Sequence, residues 1–266
     1  MSEHPIAGRW HAVRGAASSA GRRAALIPYL TAGYPTPAGS LEALRVVAAA
    51  GADFLEVGIP FSDPLADGPT IQRSTQAALD QGMTVPRVLE QVARAALPIP
   101  VIVMTYLNPV LAFGLERFVQ DAAAAGVSGL VLTDFPAGAD AAIEALVAAS
   151  PLAWIRLVAP TTTGERLTRA VRGASGFLYL ISRLGVTGVR DAVPADLAAH
   201  VARVRAASAL PVAVGFGIGT PAQARATAAV ADGVVVGSAI VEALGEGGLG
   251  AAERLVRELR AAVEVT

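Results

Sequence analysis

Two carboxylates eleven positions apart, Glu56 and Asp67, carry the first chemical signal in this chain. Glu56 stands inside a short apolar run, Phe54 to Val57. A charged side chain seldom enters a buried strand unless something there uses it. Asp67 lies on the Pro- and Asp-rich loop that follows, with Asp63, before Gly68-Pro69-Thr70 opens a helix. One carboxylate on a rigid strand and one on a loop can converge on a single pocket. Two such environments separate two pKa values, which suits proton transfer.

Missing residue types narrow the chemistry further. There is no Cys, which excludes a thiol nucleophile, a disulfide framework and a thiolate metal site. There is no Lys either; all 21 basic residues are Arg, so Schiff-base catalysis is excluded. His4 and His11 lie near the N-terminus and His200 in a predicted helix, so no metal site is expected. Acid–base work therefore falls to carboxylates and tyrosines.

These groups need a scaffold, and the composition allows a large core: 53% hydrophobic residues against 16% charged. A net charge of −1 argues against a nucleic-acid or anionic-membrane partner. No apolar run reaches the roughly 18 residues of a membrane span, and the N-terminus lacks a signal-peptide core. A cytoplasmic enzyme is the expectation.

Along the chain one unit repeats: an Ala-rich helix, a Gly or Asp turn, then a short β-branched strand. Gly51 and Gly126 fall where a helix end calls for positive φ. Strands are predicted at residues 25–30, 54–57, 101–105, 129–132, 154–158, 177–181, 211–214 and 233–236. Helical patterns lie between them at 40–50, 70–81, 115–125, 141–149, 163–172, 195–207 and 221–229, with a terminal helix at 250–263. Near-continuous apolar strands alternating with helices argue for a parallel sheet, and eight units close most naturally into a (β/α)8 TIM barrel. Residues 1–22 are predicted as an N-terminal capping helix, and the whole of 1–266 as a single domain.

In such a barrel chemistry sits at the C-terminal strand ends. Those ends carry Tyr29 and Thr31, Glu56, Met104 and Tyr106, Asp134, Tyr179, then Gly217 and Gly237-Ser238. Gly217 and Gly237 let backbone N–H groups approach an anion, and Ser238 opens a short extra helix, 239–244, whose amides favour negative charge. A substrate phosphate is the expected occupant, although the same glycines also make ordinary turns. The loop Ser182-Arg183-Leu184-Gly185-Val186-Thr187-Gly188 reads as a flexible lid that could bring Thr187 onto Asp67. An ordinary surface loop fits those residues too.

The run Glu-Val-Gly-Ile-Pro-Phe-Ser-Asp-Pro-Leu-Ala-Asp-Gly-Pro, Glu56 to Pro69, resembles the signature of the tryptophan synthase alpha chains. The resemblance extends from about Leu26 to Leu244. It implies retro-aldol cleavage of indole-3-glycerol phosphate to indole and glyceraldehyde 3-phosphate, the alpha half of the last step of tryptophan biosynthesis. By the same resemblance Glu56 is the catalytic acid–base, Asp67 engages the indole nitrogen, and Tyr179 lies beside Glu56. Thr187 is the lid threonine, Gly188 contacts phosphate with Gly217, Gly237 and Ser238, and Tyr29, Met104, Tyr106 and Phe216 wall the indole pocket. Tyr29 departs from the family's usual Phe, and Thr133-Asp134-Phe135-Pro136 from its commoner Pro-Asp-Leu-Pro.

The family's alpha chain docks on a beta chain in an α2β2 heterotetramer, and pyridoxal phosphate is expected only in that partner. This chain itself is expected to use no cofactor and no metal. Pro60, Asp63, Pro64 and the Asn108-Pro109 region are the expected contacts. Two alternatives stand beside this reading: a stand-alone indole-3-glycerol-phosphate lyase with the same site, and a non-catalytic barrel that binds a phosphate ligand and regulates. Indole-glycerol-phosphate synthase, another phosphate-binding barrel, uses a Lys that this chain lacks.

Overall fold

A computed structural model describes residues 3–17, 22–181, 195–215 and 217–265. The strands of the barrel are Ala25–Thr31, Leu55–Gly58, Val101–Thr105, Val127–Leu132, a fifth in two segments (Ala153–Trp154 and Arg156–Val158), Leu178–Ile181, Val212–Gly215 and Gly233–Val236. All neighbours run parallel, and the eighth strand pairs with the first. The first fifth-strand segment pairs with the fourth strand and the second with the sixth. Between the segments the Ile155 N–H still donates to the Leu130 carbonyl at 3.0 Å, so the ring closes there.

Alternation along each strand sorts the core into two layers. Leu26, Leu30, Leu55, Val57, Val103 and Leu130 face outward onto the helices. Ile27, Tyr29, Phe54, Ile102, Met104, Val131 and Tyr179 face inward. Both faces are buried, which is why the strands read as continuous apolar runs. The turns before the second and fourth strands use Gly51 at φ 115° and Gly126 at φ 92°, backbone that a side chain resists.

The capping helix forms as α1, Pro5–Ala17. It inserts Ile6, Trp10 and Val13 into the N-terminal end of the barrel. The Trp10 ring lies 5.0 Å from Phe54 and 5.7 Å from Phe177, closing an aromatic floor. Beside that floor the fully buried Asp53 takes three guanidinium groups: Arg9 at 2.9 Å, Arg23 at 2.7 Å and Arg260 at 2.6 Å. Its second oxygen also accepts the Leu26 N–H at 3.0 Å. Arg22–Arg23 pairs antiparallel with Glu264–Val265, so both ends of the described chain meet at this carboxylate.

Helices α2 (Pro37–Ala49) and α3 (Pro69–Asp80) fall where expected, but two helices were not foreseen. One is α4, Val85–Ala95, which buries Val88, Leu89, Val92 and Ala95 on one face between α3 and the third strand. The other is α5, Leu107–Phe113, immediately after that strand. Five helices then follow in their expected places: α6 (Leu115–Ala124), α7 (Ala141–Ala149), α8 (Gly164–Val171), α9 (Leu197–Ala207) and α10 (Pro221–Ala228). The extra helix after the eighth strand and the terminal helix are one run, α11, Ser238–Ala262. They are divided only by the non-helical backbone of Gly248, φ 69° and ψ −167°.

Candidate active site

Glu56 lies on the inner face of the second strand with 2% of its surface exposed. Its cross-strand partner is Tyr29, and both point into the upper barrel with Met104 and Tyr179. Two glycines make room for the phenols. A methyl group on Gly58 would overlap the Tyr29 hydroxyl, and one on Gly215 the Tyr179 hydroxyl. Large aromatics therefore fold across the barrel mouth without displacing a strand.

Asp67 is half-buried on the loop between the second strand and α3. The loop is held by its own bonds, Asp67 N–H to the Pro64 carbonyl at 3.0 Å and Gln72 Nε2 to the Asp67 carbonyl at 2.8 Å. Tyr106, at the end of the third strand, adds a latch. Its hydroxyl accepts the Ala66 N–H at 3.0 Å and hydrogen-bonds the Asp67 carboxylate, while its ring lies 5.3 Å from Phe61. Tyr106 was anticipated as a wall, not as the residue that holds Asp67. Nothing in a strand-end tyrosine tells which way its hydroxyl turns.

The electrostatics follow from this packing. Burial, reinforced by the Asp67 charge, pushes the Glu56 carboxyl up to about 8. Burial also lifts Asp67, to about 6, against the opposing pull of the Tyr106 hydrogen bond. At neutral pH Glu56 is mostly protonated and Asp67 mostly ionised. Burial raises the Tyr29 and Tyr179 hydroxyls well above their ordinary value, with Asp67 the next cause for Tyr29 and Glu56 for Tyr179. Both tyrosines stay neutral.

Across the mouth, Gly217 adopts φ 83° and Gly237 precedes the first turn of α11. The Ile240 and Val241 N–H groups both return to the Gly237 carbonyl, at 2.9 and 3.1 Å. The amides of Ser238 and Ala239 precede those bonds at the positive end of the helix dipole. Gly237 backs onto the Tyr29 ring, with 3.5 Å left for a methyl carbon, so this end adjoins the carboxylate end. Thr220 and Gln223 form a capping box that fixes the turn after Gly217. Thr187 and Gly188, the rest of the 182–188 loop, and Phe216 lie outside the described residues.

Asp134 has a local role: its carboxylate accepts the Leu107 N–H at 2.8 Å and caps α5. It thereby sets the Asn108-Pro109 segment beside the Asp67 loop. Pro60, Phe61, Ser62, Asn108, Pro109 and Leu111 then line one side of a surface cleft of about 690 Å³. Among the described residues, Leu65 on the Asp67 loop (89% exposed) and Leu111 in the lining of this cleft (45%) are the large apolar side chains left open to solvent.

Comparison with known proteins agrees with this architecture. The family model for the tryptophan synthase alpha chain matches residues 16–265. A tryptophan synthase alpha chain from Caulobacter sp. (strain K31) is 51% identical over 232 residues, 86% of this chain and 84% of the relative. One from Nitratidesulfovibrio vulgaris (strain DP4) is 45% identical over 233 residues, 87% and 91% of the two chains. A chain in a structure of Mycobacterium tuberculosis tryptophan synthase superimposes with a TM-score of 0.90 at 40% identity, covering 100% of both chains. A crystal structure of tryptophan synthase subunit alpha from Legionella pneumophila gives 0.88 at 33% identity, covering 98% and 99%. The chain belongs to the tryptophan synthase alpha chain family, and its function is that of the alpha subunit in tryptophan biosynthesis.

Proposed function

We propose that the chain is a lyase that splits indole-3-glycerol phosphate into indole and glyceraldehyde 3-phosphate by acid–base catalysis at Glu56, with no cofactor or metal of its own. The observation that carries this reading is the placement of Glu56, buried on the inner face of the second strand opposite Tyr29, within electrostatic reach of the Asp67 carboxylate on the adjoining loop. Glu56 gives its proton to indole C3, and positive charge develops at the ring N–H. Asp67 accepts a hydrogen bond from that N–H and stabilises the charge. The Glu56 carboxylate then removes the proton of the glycerol hydroxyl next to the ring. As the C–C bond breaks, its electrons return to the indole and an aldehyde forms. Glu56 ends protonated, ready for another turn.

Tyr179 and Tyr29 flank the acid, Met104 and Tyr106 wall the ring together with Phe216, and Gly217, Gly237 and Ser238 receive the phosphate with Gly188. Thr187 on the lid would meet Asp67 and exclude water.

A bell-shaped pH dependence of kcat/KM follows, because one carboxyl must be charged and the other neutral. Activity rises as Asp67 ionises near pH 6 and falls as Glu56 ionises near pH 8. Asp67→Asn is expected to remove the acidic limb and to lower kcat/KM by about a hundredfold, the loss of about 3 kcal/mol of charge stabilisation. Indole release measured from pH 5 to 9 on both proteins decides it. An Asp67→Asn enzyme that keeps the wild-type rate and acidic limb would rule out this role.

A beta chain in an α2β2 assembly is the proposed partner, in a cytoplasmic setting. Among the described residues no helix is long and apolar enough to cross a membrane. The cleft beside Asn108 and Pro109 joins the expected contacts to the Asp67 loop, so a partner seated there would press on the catalytic carboxylate. Leu111→Asp places a charge on that face, away from Glu56. It is expected to weaken beta-chain binding at least about tenfold while leaving the isolated chain's Tm and indole release unchanged. Titration calorimetry against a beta chain that shows unaltered affinity would remove this face from the interface.

A further inference from the structure

We infer that Thr133 is a positioning residue whose hydroxyl donates to Tyr106 and so commits the Tyr106 proton to Asp67, holding that carboxylate in place. This inference rests on the role of Asp67 proposed above. Thr133 follows the fourth strand and Tyr106 the third, and the Thr133 side chain hydrogen-bonds the Tyr106 hydroxyl. The same phenol oxygen accepts the Ala66 N–H at 3.0 Å, and the hydroxyl bonds the Asp67 carboxylate. Thr133 therefore stands two hydrogen bonds away from Asp67.

Proton counting fixes the direction of each bond. A backbone N–H only donates, so one lone pair of the Tyr106 oxygen belongs to Ala66. An ionised carboxylate only accepts, so the one Tyr106 proton goes to Asp67. Tyr106 then has nothing left to give Thr133, and Thr133 must be the donor between them. Its proton is free for this. The rival acceptor, the Thr105 carbonyl, lies 3.2 Å from Thr133 Oγ1 but already takes the Thr133 N–H at 3.0 Å. A donor on the Tyr106 oxygen polarises its O–H and strengthens the charge-assisted bond to Asp67.

That bond works against burial, which raises Asp67 while Tyr106 draws it back. The other titratable and charged groups around the loop are neutral or engaged elsewhere. Glu56 on the second strand is mostly protonated at neutral pH, and Tyr29 and Tyr179 stay neutral. Asp134 on the fourth-strand loop caps α5, and Asp63 takes the Ser62 hydroxyl at 2.6 Å. Arg73 on α3 reaches Thr70 at 3.2 Å. The charge on Asp67 thus depends on how firmly Tyr106 donates.

The test is the acidic limb of kcat/KM for indole release, with the Asp67 carboxyl titrated in parallel by 13C NMR, which needs no turnover. Thr133→Val keeps the side chain's shape and removes its proton. The ionised state of Asp67 then loses part of a charge-assisted bond, and the neutral state loses less. The limb and the NMR midpoint should both move up by about a quarter to half a pH unit. Thr133→Ser keeps the hydroxyl and should restore the wild-type values. Tyr106→Phe should move them further the same way, and adding Thr133→Val to it should change nothing more. A packing defect alone would slow the reaction at every pH and leave the midpoint where it was. A midpoint unmoved in Thr133→Val, or a shift that persists without the Tyr106 hydroxyl, overturns the inference. If Asp67→Asn instead keeps the wild-type rate and acidic limb, the proposed role of Asp67 itself is what fails.

Discussion

Glu56→Gln yields a protein that is more stable at neutral pH yet releases indole at least about a hundredfold more slowly. The rate falls because the amide neither gives nor takes the proton. The gain in stability comes from a carboxyl that folding places in an unfavourable setting, with a pKa raised from 4.5 to about 8. Below pH 4.5 both folded and unfolded states hold the proton, and Glu56 costs nothing. Above it the unfolded chain releases the proton while the folded chain keeps it, so stability falls by roughly 1.4 kcal/mol per pH unit until the folded group ionises. At pH 7 this amounts to about 3 kcal/mol, and at pH 5 to less than about 1 kcal/mol. Asp67, raised in the same direction, steepens the slope between pH 4 and 6. Urea unfolding of wild type and Glu56→Gln at pH 5 and pH 7 measures the difference. Equal stability at both values would show that folding does not raise the Glu56 pKa.

The largest loss of stability is expected from Asp53→Ala. The carboxylate is fully buried and takes Arg9, Arg23 and Arg260 within 2.9 Å, so its removal leaves three guanidinium groups facing one another. Breaking one partner out of a buried ion network costs about 3–5 kcal/mol, which for a chain of this size lowers the Tm by roughly 10 °C. Asp53→Asn retains an acceptor but not the charge and should fall between the two. Because these arginines come from α1, the Arg22–Arg23 segment and the C-terminal helix, the loss should also loosen the floor. Faster hydrogen exchange in α1 would report it. A Tm within about 2 °C of wild type would reduce the cluster to surface decoration.

The barrel was legible because its strands differ so sharply from its helices: apolar β-branched runs against Ala-rich segments with glycine turns. Glu56 stood out for the same reason, as the one carboxylate in such a run. What stayed hidden depends on register and distance in sequence. The α4 pattern Val85, Val88, Leu89, Val92 and Ala95 has helical spacing, but the repeating strand–helix unit calls for only one helix between the second and third strands, and α3 fills that place. Helix α5 buries only Val110 and is too short for a periodic signal. Thr31 meets Ser74 across 43 positions, and Asp53 meets Arg260 across 207. No local pattern marks either pairing. The Tyr106 latch depends on a hydroxyl direction that only the folded loop decides.

The aromatic floor built from Trp10, Phe54 and Phe177 turns the barrel from a pipe into a cup. If Glu56 is the proposed acid–base, a small neutral product made there meets this closed base and leaves by the rim through which the substrate entered. That rim is bordered by the Asp67 loop and by the cleft beside Asn108. Under the proposed reaction, whatever seals that rim governs the entry of substrate and the exit of indole together, at one doorway.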